Sequence, residues 1–180
     1  MQRQKGRAAR RSLLAAIALF GALPLTLQAC GFHPLYAEKT GTANKLESVR
    51  IAPLQERNGQ MLHNMLRDRI NPGGQPANPE YLLRVALKER TAGLGIRRDR
   101  TASRFNLTVK TQYTLYTADG RTVLFRGKSE ATSGYSALDL PAQYGTLSAE
   151  RDARERANQV VADDIAQRLA VYFASQSAGS

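Results

Sequence analysis

The sequence predicts an α+β fold: a two-layer sandwich with two helices packed on one face of a roughly four-stranded sheet, in the order β-α-β-β-β-α. Three observations carry this. From Tyr81 to Glu130 apolar and polar residues alternate with period two, the pattern of a sheet with one buried and one wet face. Two stretches, Gly59–Ile70 and about Ser148–Ala174, instead space their apolar residues at three and four. An amphipathic helix as long as the second needs a surface to cover, and the sheet's apolar face supplies one.

The elements follow in order. Leu46–Pro53 is the first strand, with Val49 and Ile51 on one face, Ser48 and Arg50 on the other, and Pro53 closing it. Gly59–Ile70 is a helix with a core face of Met61, Leu62, Met65, Leu66 and Ile70. Asn58 is its expected N-cap, and Asn71-Pro72-Gly73-Gly74 stops it. Asn71–Pro79 is a loop rich in Pro, Gly and Asn. The next strand turns Tyr81, Leu83, Val85 and Leu87 inward and Arg84, Lys88 and Arg90 outward. The third turns Phe105, Leu107, Val109, Tyr113 and Leu115 inward, and Asn106, Thr108, Lys110, Gln112 and Thr114 outward. Asp119-Gly120 makes a hairpin turn, because glycine tolerates the positive φ that a tight turn requires. The return strand places Val123 and Phe125 inward against Arg126, Lys128 and Glu130. On the last helix Ala157, Val160, Val161, Ile165, Leu169, Tyr172 and Phe173 form one stripe. Arg151–Glu155, Asp152–Arg156 and Asp164–Arg168 are charge pairs four apart.

The N-terminus has a different composition. Met1–Arg11 holds five cations and no acid, and Leu13–Leu27 is a Leu/Ala-rich run broken by Gly21 and Pro24. A basic segment, a short apolar segment and a small residue form a secretory signal. The apolar run is shorter than the roughly 20 residues a transmembrane helix needs. Arg10-Arg11 leaves twin-arginine export open beside the general route. Leu27-Gln28-Ala29-Cys30 resembles a bacterial lipobox, in which the cysteine is acylated and becomes the new N-terminus. Cys30 is the only cysteine, so no disulfide within the chain is possible. The expected organisation is a signal over 1–29, an anchor and polar tether over 30–45, a domain over 46–174 and a disordered tail over 175–180. Removing 29 residues leaves 151, enough for one domain with a sizeable core, and lowers the formal charge of +11 to +6. A basic balance often means nucleic acid, but an exported chain meets lipid headgroups and lipopolysaccharide phosphates instead.

Catalytic chemistry is sparse. His33 and His63 are the only histidines, and with Cys30 acylated no zinc-ligand set remains. Asp163 and Asp164 are adjacent on a helix, so they point about 100° apart and cannot act as a pair. Gly93-Leu94-Gly95 lacks the third glycine of a dinucleotide loop. Neither an enzyme nor a bound cofactor or metal is expected. The dominant charge feature is Lys88–Arg104, which holds Lys88, Arg90, Arg97, Arg98, Arg100 and Arg104 against Glu89 and Asp99. The glycines at 93 and 95 place it between strands. Arginine's planar fork of donors can grip a phosphate with two bonds. The outward cations Arg84, Lys110, Arg126 and Lys128 extend such a patch across the wet face. A solvated hairpin tip, or protection of a sheet edge, accounts for the same residues.

Cys30-Gly31-Phe32-x-Pro34-Leu35-Tyr36 resembles the opening of the LptE family of lipopolysaccharide-assembly lipoproteins. The likeness continues in Val49-x-Ile51-Ala52-Pro53-Leu54 and Leu62-x-x-Met65-Leu66-Arg67. It extends through Tyr144–Phe173, with Ala153-Arg154 and Ile165-x-x-x-Leu169, and so covers nearly all of the mature chain. The resemblance implies a lipid-anchored outer-membrane protein facing the periplasm. Its partner would be an LptD-type β-barrel, which it plugs, and together they would deliver lipopolysaccharide to the surface. It implies a non-enzymatic sandwich with two helices and about four strands. No family motif transfers the lipopolysaccharide contacts, so Arg97, Arg98, Arg100 and Arg104 are assigned to phosphate from their own pattern. Two rivals stand beside this: another periplasmic lipoprotein adaptor, such as a barrel-assembly or cell-wall-synthase regulator, and an extracytoplasmic enzyme of unrecognised type.

Overall fold

Long alternating strands and one long helix dominate the fold. A computed structural model describes residues 41–96, 102–136 and 143–178. The elements are α1 (Gly41–Glu47), β1 (Val49–Ile51), α2 (Arg57–Ile70), β2 (Tyr81–Ile96), β3 (Ala102–Thr117), β4 (Val123–Ser136) and α3 (Gln143–Ala178). The strands form one sheet in the order β1-β2-β3-β4. β1 runs parallel to β2, with α2 as the crossover, and the other neighbours are antiparallel. This is the predicted α+β sandwich, and its sheet is mixed.

The core lies between the sheet's inner face and the helices. Ile51, Leu83, Leu107, Val109, Tyr113 and Leu115 meet Leu62, Leu66 and Ile70 of α2 and Val161, Ile165, Leu169 and Phe173 of α3. Each fully buried Leu, Ile or Phe contributes roughly 1.5–3 kcal/mol relative to exposure. The inner face of β4 is lined by Gly127, Ser129, Ala131 and Ser133, small residues under α3. Tyr113 of β3 occupies the space above Gly127 that a Cβ there would take.

Several local expectations are corrected. α1 begins inside the stretch expected to be a tether, because Thr42 and Leu46 sit four apart and are both buried. α3 runs to Ala178, four residues into the expected tail. Asn58 is not the N-cap of α2. Glu56 holds that place at φ 65° with no capping side chain, and Asn58 instead bonds Glu89 and Asn158. Asn71 does end α2: its amide donates to the carbonyls of Glu47 and Val49 and ties the helix end to β1. Val123 faces outward, because a bulge at Leu124 shifts the register and a one-residue slip reverses the faces. Val160 is 57% exposed, since the period of 3.6 carries it off the stripe that buries Val161. Of the three charge pairs only Asp164–Arg168 forms an ion pair, at 2.8 Å. Arg156 turns instead to Ser133 and the Gly134 carbonyl, and Glu155 accepts from Gln159.

Candidate functional site

The outer face of the sheet carries the chain's strongest charge asymmetry. Strand register places its side chains in rows, with strands about 4.8 Å apart and same-face residues about 6.7 Å apart along each strand. Arg84, Thr114 and Arg126 share one row, and Ala86, Gln112 and Lys128 the next. Lys88, Lys110 and Glu130 follow, then Arg90, Thr108 and Thr132. Arg104 stands beyond them opposite Ser136, and Arg50 lies on the same face at the β1 edge beside Leu82. Glu130 is the single acid among these positions, and it pairs with Lys110 at 2.9 Å. Arg84 lies over the Tyr116 ring, 4.8 Å from its centre, which holds its long side chain against the sheet. The helices α2 and α3 together carry seven cations and six acids, so the helical layer is nearly neutral.

Among the sequence-predicted site residues, Arg104 is described: it is exposed on β3 at the end of this cationic face. Cys30, Arg97, Arg98 and Arg100 lie outside the described residues. The expected inter-strand segment is shorter than predicted, because β2 continues through Gly93 and Gly95 to Ile96. The glycines mark register shifts in a continuing strand, where an irregular backbone suits a residue without a side chain. Lys88 and Arg90 therefore belong to the sheet. Arg84, Lys110, Arg126 and Lys128 share its outer face, as the alternation predicted.

A second polar cluster escaped the sequence reading. Between α2, β2 and the start of α3 lies an open cleft of about 990 Å³, bordered by Asn58, Met61, Leu87, Glu89, Leu147 and Arg154. Arg154 grips Glu89 with two nitrogens, each at 2.9 Å, and bonds Glu150 at 2.6 Å. Asn58 donates to Glu89 at 2.6 Å and accepts from the buried Asn158 at 2.5 Å. The carboxylate bonds raise the Arg154 pKa, Glu89 foremost, so the guanidinium stays charged. Arg154, Glu89, Asn58 and Asn158 bond one another and clamp α3 and α2 to β2, while the buried Asn158 Oδ1 has no hydrogen-bond partner among the described residues. The cluster's signal was present, since Glu89 falls on the inward phase of β2 after Val85 and Leu87 and so needed an internal cation. No group of His, Cys, Asp and Glu among the described residues could hold a metal ion.

Two helices over one sheet face, with a cationic second face, define a small α+β sandwich domain, and solved lipoproteins share this fold. A candidate lipoprotein from Caulobacter crescentus CB15 superimposes with a TM-score of 0.64 at 25% identity, over 74% of this chain and 96% of that one. A minor lipoprotein from Acinetobacter baumannii gives 0.52 at 16% identity, over 68% and 88%. No curated protein matches the sequence. The LptE model, described as lipopolysaccharide-assembly, matches residues 46–169. The chain belongs to the LptE family, lipopolysaccharide-assembly lipoproteins of the Gram-negative envelope. That family is non-enzymatic. Among the described residues no helix is long and apolar enough to cross a membrane.

Proposed function

We propose that this protein is an outer-membrane lipoprotein, anchored through acylated Cys30, that plugs an LptD-type β-barrel and helps deliver lipopolysaccharide to the outer leaflet. The family match over residues 46–169 carries this reading. In it, Arg97, Arg98 and Arg100, which lie in sequence between β2 and β3, and Arg104 of β3 contact lipopolysaccharide phosphates. The exposed place of Arg104 on a cationic face supports the last assignment. Charge-assisted bonds of roughly 1.5–3 kcal/mol each suit a polyanionic ligand.

Affinity purification from solubilised membranes, with mass spectrometry of what copurifies, tests the partnership. A large outer-membrane barrel is the expected product. Recovery of a cell-wall synthase or a different assembly factor instead would support the adaptor reading. Mass spectrometry of the mature N-terminus tests the anchor, and an unmodified Cys30 would end that claim. Charge reversal at Arg97, Arg98 and Arg100 together should weaken lipopolysaccharide binding and leave the melting transition and barrel association in place. Unchanged binding would return the segment to a solvated hairpin tip.

A further inference from the structure

We propose that the groove between the C-terminal half of α3 and the start of β4 holds Leu35 and Tyr36 of this chain's own tether. This contact within one chain goes beyond the lipopolysaccharide reading and leaves the domain free to sit in a barrel.

The groove has a volume of about 500 Å³, and Phe125, Val171, Tyr172 and Ser175 line it. Phe125 and Tyr172 stack with ring centres 5.1 Å apart, yet both are only half-buried. Val171 beside them is 52% exposed. Asp164 and Arg168, also at the groove, pair with each other at 2.8 Å. What remains on offer is mainly apolar and aromatic surface, which gains by being covered.

The occupant follows from where the described chain begins. α1 opens at Gly41 and packs on α3, and its Lys45 donates to Ser177, two residues beyond Ser175 of the groove, at 3.1 Å. The chain therefore enters the domain at the end of α3 where the groove lies. Leu35 and Tyr36 lie outside the described residues and precede Gly41 by six and five positions. Five extended residues reach roughly 17 Å, which exceeds the roughly 10–12 Å thickness of a helix, so the segment can pass round the end of α3. Composition points the same way. A tether needs only solvated residues, and Glu38, Lys39 and Thr40 supply them, yet Leu35 and Tyr36 set two large apolar side chains directly ahead. A tyrosine ring laid against the Phe125–Tyr172 stack keeps its hydroxyl in water. The free length between Cys30 and the domain then falls from residues 31–40 to residues 31–34.

A cysteine pair tests this. The core cluster comes from residues 46–173, so a chain starting at Gly31 retains it, and without Cys30 that chain has no cysteine of its own. Ala37→Cys with Ser175→Cys should close a disulfide within the monomer under mild oxidation, read by mass spectrometry. Adding Leu35→Ser and Tyr36→Ser should slow that closure about tenfold, because the segment no longer rests in the groove. In the chain without added cysteines, Leu35→Ser with Tyr36→Ser should lower the melting midpoint by about 4–8 °C. Equal closure rates in the two backgrounds would show a free tether and overturn the proposal. So would an unchanged midpoint combined with loss of the copurifying barrel, which would give the segment to that partner. Fast formation of disulfide-linked dimers by Ser175→Cys alone would give the groove to a second copy and overturn it as well.

Discussion

Gly127 and Tyr113 show how one residue without a side chain sets the packing of a large one. They are cross-strand partners on the inner face, and the Tyr113 ring lies where a Gly127 Cβ would go. The ring is 1% exposed and its hydroxyl has no hydrogen-bond partner among the described residues. A stiff, buried ring cannot swing aside cheaply. Gly127→Ala should therefore destabilise the domain by about 1–3 kcal/mol through overpacking. The cost should shrink in a Tyr113→Leu background, where the colliding end of the ring is gone. Chemical denaturation of the four proteins in the cycle reads this coupling directly. Additive effects would show that the clash does not exist.

At the scale of elements, α3 organises the domain, and its buried stripe separates costly changes from cheap ones. Ile165 and Leu169 have no exposed surface, whereas Glu155 is exposed and, among the described residues, bonds only to Gln159 by a 3.4 Å contact. Ile165→Asp places an unpaired charge between helix and sheet, several kcal/mol against a total stability of about 5–15 kcal/mol. It should abolish the cooperative melt, while Glu155→Ala should cost a few tenths of a kcal/mol. Similar losses from both would refute the assignment of the buried face. This stripe was legible in the sequence because burial imposes a period, and the same holds for the alternation of β2 and β3. What was not legible depended on partners distant in the chain. The parallel pairing of β1 with β2 leaves no local mark on three residues. Arg154 looked like one cation among many until β2 brought Glu89 beside it, 65 residues away in sequence. Asn58 has the residue type of a helix cap, yet Glu89 and Asn158 claim its amide. For the candidate site, the alternation put Arg84, Lys110, Arg126 and Lys128 on one face. The glycines hid the true end of β2, since a bulge and a turn favour the same residue type.

Over the whole molecule, the aromatic residues of the sheet link folding to alkaline pH. Tyr81, Tyr113 and Tyr135 all have pKa values above the ordinary tyrosine range, in each case chiefly because burial penalises the phenolate. Glu80 adds to the rise at Tyr81, and Glu150 at Tyr135. At Tyr113 the Arg168 cation opposes the rise in part, and Asp164 reinforces it. A raised value means that above about pH 10 the folded chain keeps protons which the unfolded chain has released. The unfolded state then binds fewer protons, so unfolding free energy falls as pH climbs. The stabilisation is fully present below about pH 10 and disappears as pH passes upward through the folded values. Asp119 has the opposite sense: bonds from the Thr117 hydroxyl and the Arg121 amide lower its pKa, so its contribution is lost on acidification. Urea midpoints measured from about pH 8 to about pH 11 should therefore decline. Tyr113→Phe should reduce the slope without removing it, because Tyr81 and Tyr135 still titrate. At neutral pH the same variant should lie within about 1 kcal/mol of the parent, since the lost hydroxyl has no partner among the described residues to leave unpaired. Parallel curves for the two proteins would show that Tyr113 ionises as freely in the folded chain as in the unfolded one, and that its burial under α3 is wrong.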